Sequence, residues 1–300
     1  MTTKLRACPI CASEQISFRF NGFTNRNRAD GMIWPVFSCQ DCDHGFVNPQ
    51  PGPDVLDRYY SVDYEPYTER HSADEADDAI LRKARRSGEF RHIPIPTGKR
   101  VLDFGCGGGF FLSICQKLGA DVQGIEPSVH GAAVTAGQAI PVFNGHLEDY
   151  LSAHGTERFD VITSNHVIEH VPDPVAALRG LKQLLAPGGM IVIAVPNARS
   201  MFANALGAEW YSVDLPFHIH QFCQQSLAKA AELAGLVTNA IGTTSLPAST
   251  AASLRLLWRR KYMMPQKISV RIPGMASCAA RLASAQDARA EGEALLAQFA

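Results

Sequence analysis

The stretch Val101-Leu102-Asp103-Phe104-Gly105-Cys106-Gly107-Gly108-Gly109-Phe110-Phe111-Leu112 decides the fold, because it reads as a buried strand running into a glycine turn and then a helix. Gly105 and Gly107 can take backbone angles closed to other residues, and without Cβ atoms they let a ligand approach the main chain. The helix behind them aims its unbonded N–H groups at the same spot. A chain builds a nucleotide pocket in this way. The spacing is Gly-x-Gly-x-Gly, so no third glycine falls where a dinucleotide fold places it. The next apolar run, Asp121-Val122-Gln123-Gly124-Ile125, ends in Glu126. An acid therefore lies at the tip of a second strand, about 20 residues beyond the loop, where it can grip a ribose hydroxyl pair.

Further along, Phe159-Asp160-Val161-Ile162-Thr163-Ser164-Asn165 reads as another strand of the sheet. Val175 to Leu185 has apolar residues at helical spacing and is stopped by Ala186-Pro187-Gly188-Gly189. Met190-Ile191-Val192-Ile193-Ala194-Val195 then reads as a buried strand ending at Pro196-Asn197. In order and spacing these motifs resemble the class I S-adenosylmethionine-dependent methyltransferases. His166-Val167-Ile168-Glu169-His170-Val171-Pro172-Asp173-Pro174 is similar to a segment of the branch that includes ubiquinone-pathway methyltransferases. The resemblance covers residues 51–245 and the last dozen. It implies an α/β, doubly wound, seven-stranded Rossmann-like sheet, with Gly292–Phe299 as a final antiparallel strand beside Val237–Ile241.

The same resemblance implies S-adenosylmethionine as cofactor, with the glycine loop holding its methionine part and Glu126 its ribose. Its contacts would come from Asp103, Gly105, Cys106, Gly107, Glu126, Pro127, His146, Leu147, Asn165, His166 and Tyr64. One position departs from the pattern. Relatives commonly carry an acid after the third strand to meet the adenine amino group, and here Asn144-Gly145-His146-Leu147 puts His146 there, leaving main-chain groups of His146 and Leu147 to edge the adenine.

Of the eight cysteines, four form Cys8-x-x-Cys11 and Cys39-x-x-Cys42; Cys106, Cys115, Cys223 and Cys278 are scattered. Two such knuckles can complete a tetrahedral thiolate site for zinc, with Phe18 to Phe37 forming hairpin strands around Asp30-Gly31. Disulfides are the alternative, disfavoured in a reducing cytosol. His44 is a substitute ligand, but four thiolates already fill the site. A ribbon this small has little core, so its metal is expected to be structural. It resembles the short zinc ribbons fused ahead of methyltransferase domains in bacterial clusters for surface sugars and secondary products. Zinc ribbons also occur on enzymes that modify ribosomal RNA.

The 300 residues carry a net charge of −1, against the broad positive field that nucleic-acid binding needs. No uninterrupted apolar run of about 18 residues occurs, and Met1-Thr2-Thr3-Lys4-Leu5-Arg6 lacks a secretory apolar core, so a cytoplasmic location is expected. Asn48-Pro49-Gln50-Pro51-Gly52-Pro53 marks a boundary. The expected layout is a zinc ribbon over 1–50, a linker with lid helices over 51–98, and a methyltransferase domain over 99–300 with a basic helical insertion at 246–286. Within the linker, Tyr59, Tyr60, Tyr64 and Tyr67 either form part of a cofactor lid or pack the two domains together, and Asp77 to His92 reads as an amphipathic helix. The insertion carries Arg255, Arg259, Arg260, Lys261, Lys267, Arg271 and Arg281. It reads either as a cap or oligomer helix with a solvated basic face, or as a surface at 254–271 for membrane or a lipid-linked substrate.

Methyl transfer from a sulfonium is an in-line displacement, and an oxygen acceptor is helped by a base near neutral pKa. His166 and His218 are the candidate bases; His170 more plainly braces a turn, and His220 lies in the same segment as His218, Trp210 to Phe222. An alternative uses His166, Glu169 and His170 as metal ligands, although magnesium prefers oxygen. The expected function is methylation, most simply on oxygen, of a small-molecule or sugar acceptor. An RNA methyltransferase docking through the ribbon and a catalytically silent cofactor-binding module are the alternatives.

Overall fold

The computed structural model describes residues 2–23, 32–56, 98–262 and 274–300. The turn at Asp30-Gly31, the four linker tyrosines with the Tyr64 cofactor contact, the helix expected over 77–92 and part of the insertion lie outside the described residues. Short strands come first: β1 (Thr2–Thr3), β2 (Ile16–Gly22), β3 (Trp34–Cys39), β4 (Gly45–Val47) and β5 (Gln50–Pro51). The order then alternates with helices through β6 (Arg100–Phe104), β7 (Asp121–Glu126), β8 (Val142–Asn144), β9 (Phe159–Asn165) and β10 (Leu185–Pro196). It closes with β11 (His220–Gln221), β12 (Thr238–Thr244) and β13 (Ala294–Phe299). Strands alternating with helices are the pattern of a parallel α/β sheet.

The chain divides into two compact units, one of Met1–Leu56, Val195–Lys229 and Ile241–Leu296, the other of Asp57–Ala194, Ala230–Ala240 and Ala297–Ala300. The second is built on a seven-stranded sheet of order β12-β13-β10-β9-β6-β7-β8. The pairs β6/β7, β6/β9, β7/β8 and β9/β10 are all parallel. β13 lies beside β12, where Val237 and Ala300 exchange both backbone hydrogen bonds, as antiparallel neighbours do. Strands covered on both faces read as continuous apolar runs, and Val101, Leu112, Cys115, Val122, Ile140 and Val161 accordingly form one buried cluster. Helix starts follow from capping chemistry: Ser128 Oγ accepts from Gly131 N–H, and Asp173 Oδ1 from Ala176 N–H with Pro174 at the first helical position.

β10 is longer than the sequence pattern indicates. Leu185 already pairs with Phe159, and the register shifts before Met190 pairs with Val161, so Pro187-Gly188-Gly189 forms an irregularity inside a strand. Gly188 takes a φ of 76°, which a β-carbon would resist.

In the first unit β2, β3 and β4 make an antiparallel meander, and β11 adds the fourth strand in the order β11-β4-β3-β2. The described parts of the 246–286 segment are helical, with helices Pro247–Lys261 and Met275–Ala288 burying mainly small residues: Thr250, Ala251 and Ser253 on one, Ala279 and Ala283 on the other. Among the described residues no helix is long and apolar enough to cross a membrane.

Candidate functional site

The glycine loop sits at the end of β6, and its geometry follows from three positive φ angles: 76° at Gly105, 54° at Gly107 and 77° at Gly109. Three side chains from elsewhere fasten it. Glu126, at the tip of β7, accepts from Gly107 N–H at 2.8 Å and from Ser128 N–H at 2.9 Å. Thr135 Oγ1 donates to Gly107 O at 2.8 Å, and Gln138 Nε2 donates to Gly108 O. A carboxylate has about four acceptor sites, so Glu126 keeps capacity for a ligand hydroxyl after these two bonds. Burial raises its pKa, while the backbone N–H groups of Ser128 and Gly107 work the other way.

Asp103 is buried at the end of β6 and accepts a 2.6 Å hydrogen bond from Thr163 Oγ1. Burial pushes its pKa up to about 7; the Thr163 bond opposes the rise and the nearby Glu126 charge adds to it. The sign of the stability effect follows. A carboxyl raised in the folded state stabilises the fold fully below its unfolded pKa near 4, and that contribution is lost as pH rises towards 7. The ligand-free protein should therefore lose about 4 kcal/mol relative to Asp103→Asn between pH 4 and pH 8. Thermal denaturation of both proteins across that range checks this, and parallel pH curves would refute it.

The other positions of the expected cofactor set differ in what they offer. Cys106 is buried, its Sγ packed towards Gly124 and its thiol pKa raised by that burial, so only its main chain faces outward chemistry. Pro127, His146 and Asn165 are exposed, and Leu147 is buried. His146 caps the helix Leu147–His154 without a side-chain cap bond, which leaves that helix start to backbone donors. Thr163, Thr135 and Gln138 carry no motif in the sequence. Thr163 meets Asp103 only through the register of β6 against β9.

His166 follows β9 at a φ of 55°, and its Nδ1 lies 3.2 Å from Oε1 of the fully buried Glu169. Desolvation pulls the His166 imidazolium down, but the hydrogen bond and charge of Glu169 outweigh it and raise the pKa above the usual histidine value. Glu169 thus engages His166 as a hydrogen-bond partner. His170 N–H bonds Val167 O at 2.9 Å, bracing the turn. In the first unit, His218 is buried and its Nδ1 lies 2.7 Å from the carbonyl of Ser212. A carbonyl only accepts, so Nδ1 carries the proton and the lone pair of the neutral ring sits on Nε2.

The four cysteines of the two knuckles converge. Cys8 and Cys42 Sγ atoms are 3.6 Å apart, Cys11 and Cys39 3.5 Å apart, and all four sulfurs lie within 4.8 Å of one another. These spacings exceed an S–S bond of about 2.05 Å and suit thiolates on the corners of a tetrahedron with Zn–S near about 2.3 Å. Ile10 N–H points at Cys8 Sγ at 3.4 Å, as a metal knuckle requires. The hydrogen bond shared with Cys42 pulls the Cys8 thiol below its usual range, against the burial that raises it, so the pair gives up a proton more readily than two isolated buried thiols would.

The chain matches a family described as a methyltransferase domain over residues 70–240. A ubiquinone biosynthesis O-methyltransferase from Thiobacillus denitrificans is 33% identical over 181 residues, spanning 56% of this chain and 78% of the relative. Another, from Cereibacter sphaeroides, is 41% identical over 138 residues, spanning 43% of this chain and 55% of the relative. The crystal structure of a SAM dependent methyltransferase from Archaeoglobus fulgidus superposes with a TM-score of 0.50 at 19% identity, covering 75% of this chain and 94% of that one. That likeness is one of fold.

Proposed function

Because the chain belongs to the methyltransferase-domain family, as a class I S-adenosylmethionine-dependent enzyme, we propose that it methylates an oxygen of a small molecule. The observation that carries this reading is the pairing of the glycine loop with the acid of the neighbouring strand, Gly107 N–H on Glu126 at 2.8 Å. The O-methyltransferase names of the relatives favour oxygen as the acceptor atom. S-adenosylmethionine supplies a methyl group on a sulfonium with a neutral leaving group, so the protein's work is alignment, desolvation and removal of one proton.

In this proposal the main chain of Gly105, Cys106 and Gly107 lies along the methionine part of the cofactor, with Asp103 behind the loop. Glu126 takes the ribose hydroxyls, with Pro127, His146, Leu147, Asn165 and His166 at the edges. His218 is the base. Its Nδ1–H is committed to Ser212 O, so the ring keeps one tautomer and Nε2 can accept the proton of the acceptor hydroxyl. His166 suits that role less well, because Glu169 favours its protonated form. Cys8, Cys11, Cys39 and Cys42 would hold a structural zinc ion. A net charge of −1 speaks against an RNA acceptor.

The test is incubation of the protein with methyl-labelled S-adenosylmethionine and a cell extract divided into water-soluble small molecules, lipid-extractable material, and RNA. Label in small molecules is the expected result, and label in the lipid extract would narrow the acceptor to a lipid-linked one. Label in RNA, or none in any fraction despite cofactor binding, would overturn the proposal.

A further inference from the structure

The residues around and after the second cysteine knuckle are hydrogen-bonded to the segment that carries His218. We propose that metal held by Cys8, Cys11, Cys39 and Cys42 sets the conformation of residues 199–225, so that the ribbon is a positioning element for the acceptor side of the reaction. The proposal rests on the reading of His218 as the base for its functional meaning, and on geometry for everything else.

Both neighbours of Cys42 are tied to that segment. Asp41 O accepts from Gln225 Nε2 at 3.1 Å, and the Asp43 carboxylate accepts from Arg199 Nε at 2.6 Å and from its Nη2. Asp43 O also lies 3.6 Å from Cys223 Sγ. One residue further, His44 Nε2 and His220 Nδ1 are 3.0 Å apart, with both rings buried and the His44 ring against Phe222. β4 then pairs with β11, Gly45 opposite Gln221 and Phe46 opposite His220, and Val47 N–H bonds Ile219 O at 2.9 Å. Gly45 has to be glycine for this approach, since a β-carbon there would stand 2.8 Å from Gln221 Cβ.

The connection reaches the base through one side chain. Gln221 is buried and its Nε2 donates to Val213 O and to His218 O, each at 3.2 Å. The contact spacing of the knuckles is held by four sulfurs that without a metal have only weak S–H hydrogen bonds between them. Metal bonds there fix Asp41 to His44, those residues fix β11, and Gln221 fixes the carbonyls of Val213 and of His218 itself. Among the described residues, two-residue β11 pairs with no strand other than β4.

Hydrogen exchange read by mass spectrometry on the full chain tests this, comparing zinc-loaded protein, protein stripped by a chelator, and stripped protein given zinc again. Amides of residues 43–47 and 218–222 should exchange at least tenfold faster after stripping and regain protection with zinc. Exchange over 100–126 and S-adenosylhomocysteine affinity by calorimetry should stay within twofold. Loss of protection confined to residues 2–42 would overturn the proposal, and so would loss spread equally over 100–126. A second variant avoids stripping altogether. Gln221→Met keeps the volume and removes both donations; with zinc content unchanged, it should speed exchange over 213–218 and lower the rate of methyl transfer to the small-molecule fraction at an unchanged KM for S-adenosylmethionine. Unaltered exchange there would equally overturn the proposal. The exchange readout does not depend on turnover, so failure of the base assignment, read by His218→Ala, is distinguishable from failure of this coupling.

Discussion

Gly105→Ala should weaken S-adenosylhomocysteine binding about a hundredfold or lower the melting temperature by an equivalent amount. Two independent costs meet at this position. A φ of 76° costs a residue with a β-carbon about 1–2 kcal/mol. That carbon would also lie 2.3 Å from Val167 Cγ2 and 2.9 Å from Cγ1, and overpacking of this kind costs about 1–3 kcal/mol. Together they come to about 3 kcal/mol, or roughly two decades in an equilibrium constant. If the loop keeps its shape, the loss appears in thermal stability. If it relaxes, Gly107 N–H leaves Glu126 and the loss appears in binding. The double variant Gly105→Ala, Val167→Ala should recover the steric part and leave the backbone part. A single variant with native melting temperature and native affinity would show that the loop is not used as described.

His218→Ala should reduce methyl transfer by about 10²- to 10⁴-fold, the range typical of a lost general base, with cofactor affinity unchanged. The prediction depends on the 2.7 Å contact from Nδ1 to Ser212 O, which holds one tautomer. His166 supplies the internal comparison. Its pKa is raised because Glu169 outweighs desolvation, so a rate governed by His166 would climb with pH through a value above the ordinary histidine range. Glu169→Gln would then move that climb to lower pH. Retained turnover in His218→Ala would transfer the role to His166.

Much of this molecule is local in origin, and to that extent the sequence was enough. The apolar run Val101–Phe104, the glycines behind it and the acid at Glu126 specify strand, turn and strand tip within about 25 residues, a range over which chain stiffness and side-chain period leave few alternatives. The same holds for the Cys-x-x-Cys knuckles, whose spacing alone implies a thiolate site. The extent of β10 was harder, because Pro187-Gly188-Gly189 is a breaker in isolation and becomes an irregularity only when a neighbouring strand supplies partners.

Tertiary structure decided the contacts whose partners are distant in the chain. Thr163 reaches Asp103 across 60 positions, and nothing in its own neighbourhood distinguishes it from any threonine in a strand. Asn48 to Pro53 marks a boundary, yet residues 1–56 group with 195–229 and 241–296, because the edge of β4 pairs with β11 about 175 positions away. Backbone edges carry no sequence label: every strand offers the same N–H and C=O groups, so which edge is filled depends on what the fold brings beside it. The sequence by itself determined which elements form and which residue types could do chemistry; the packing of remote segments decided which of those residues share a hydrogen bond.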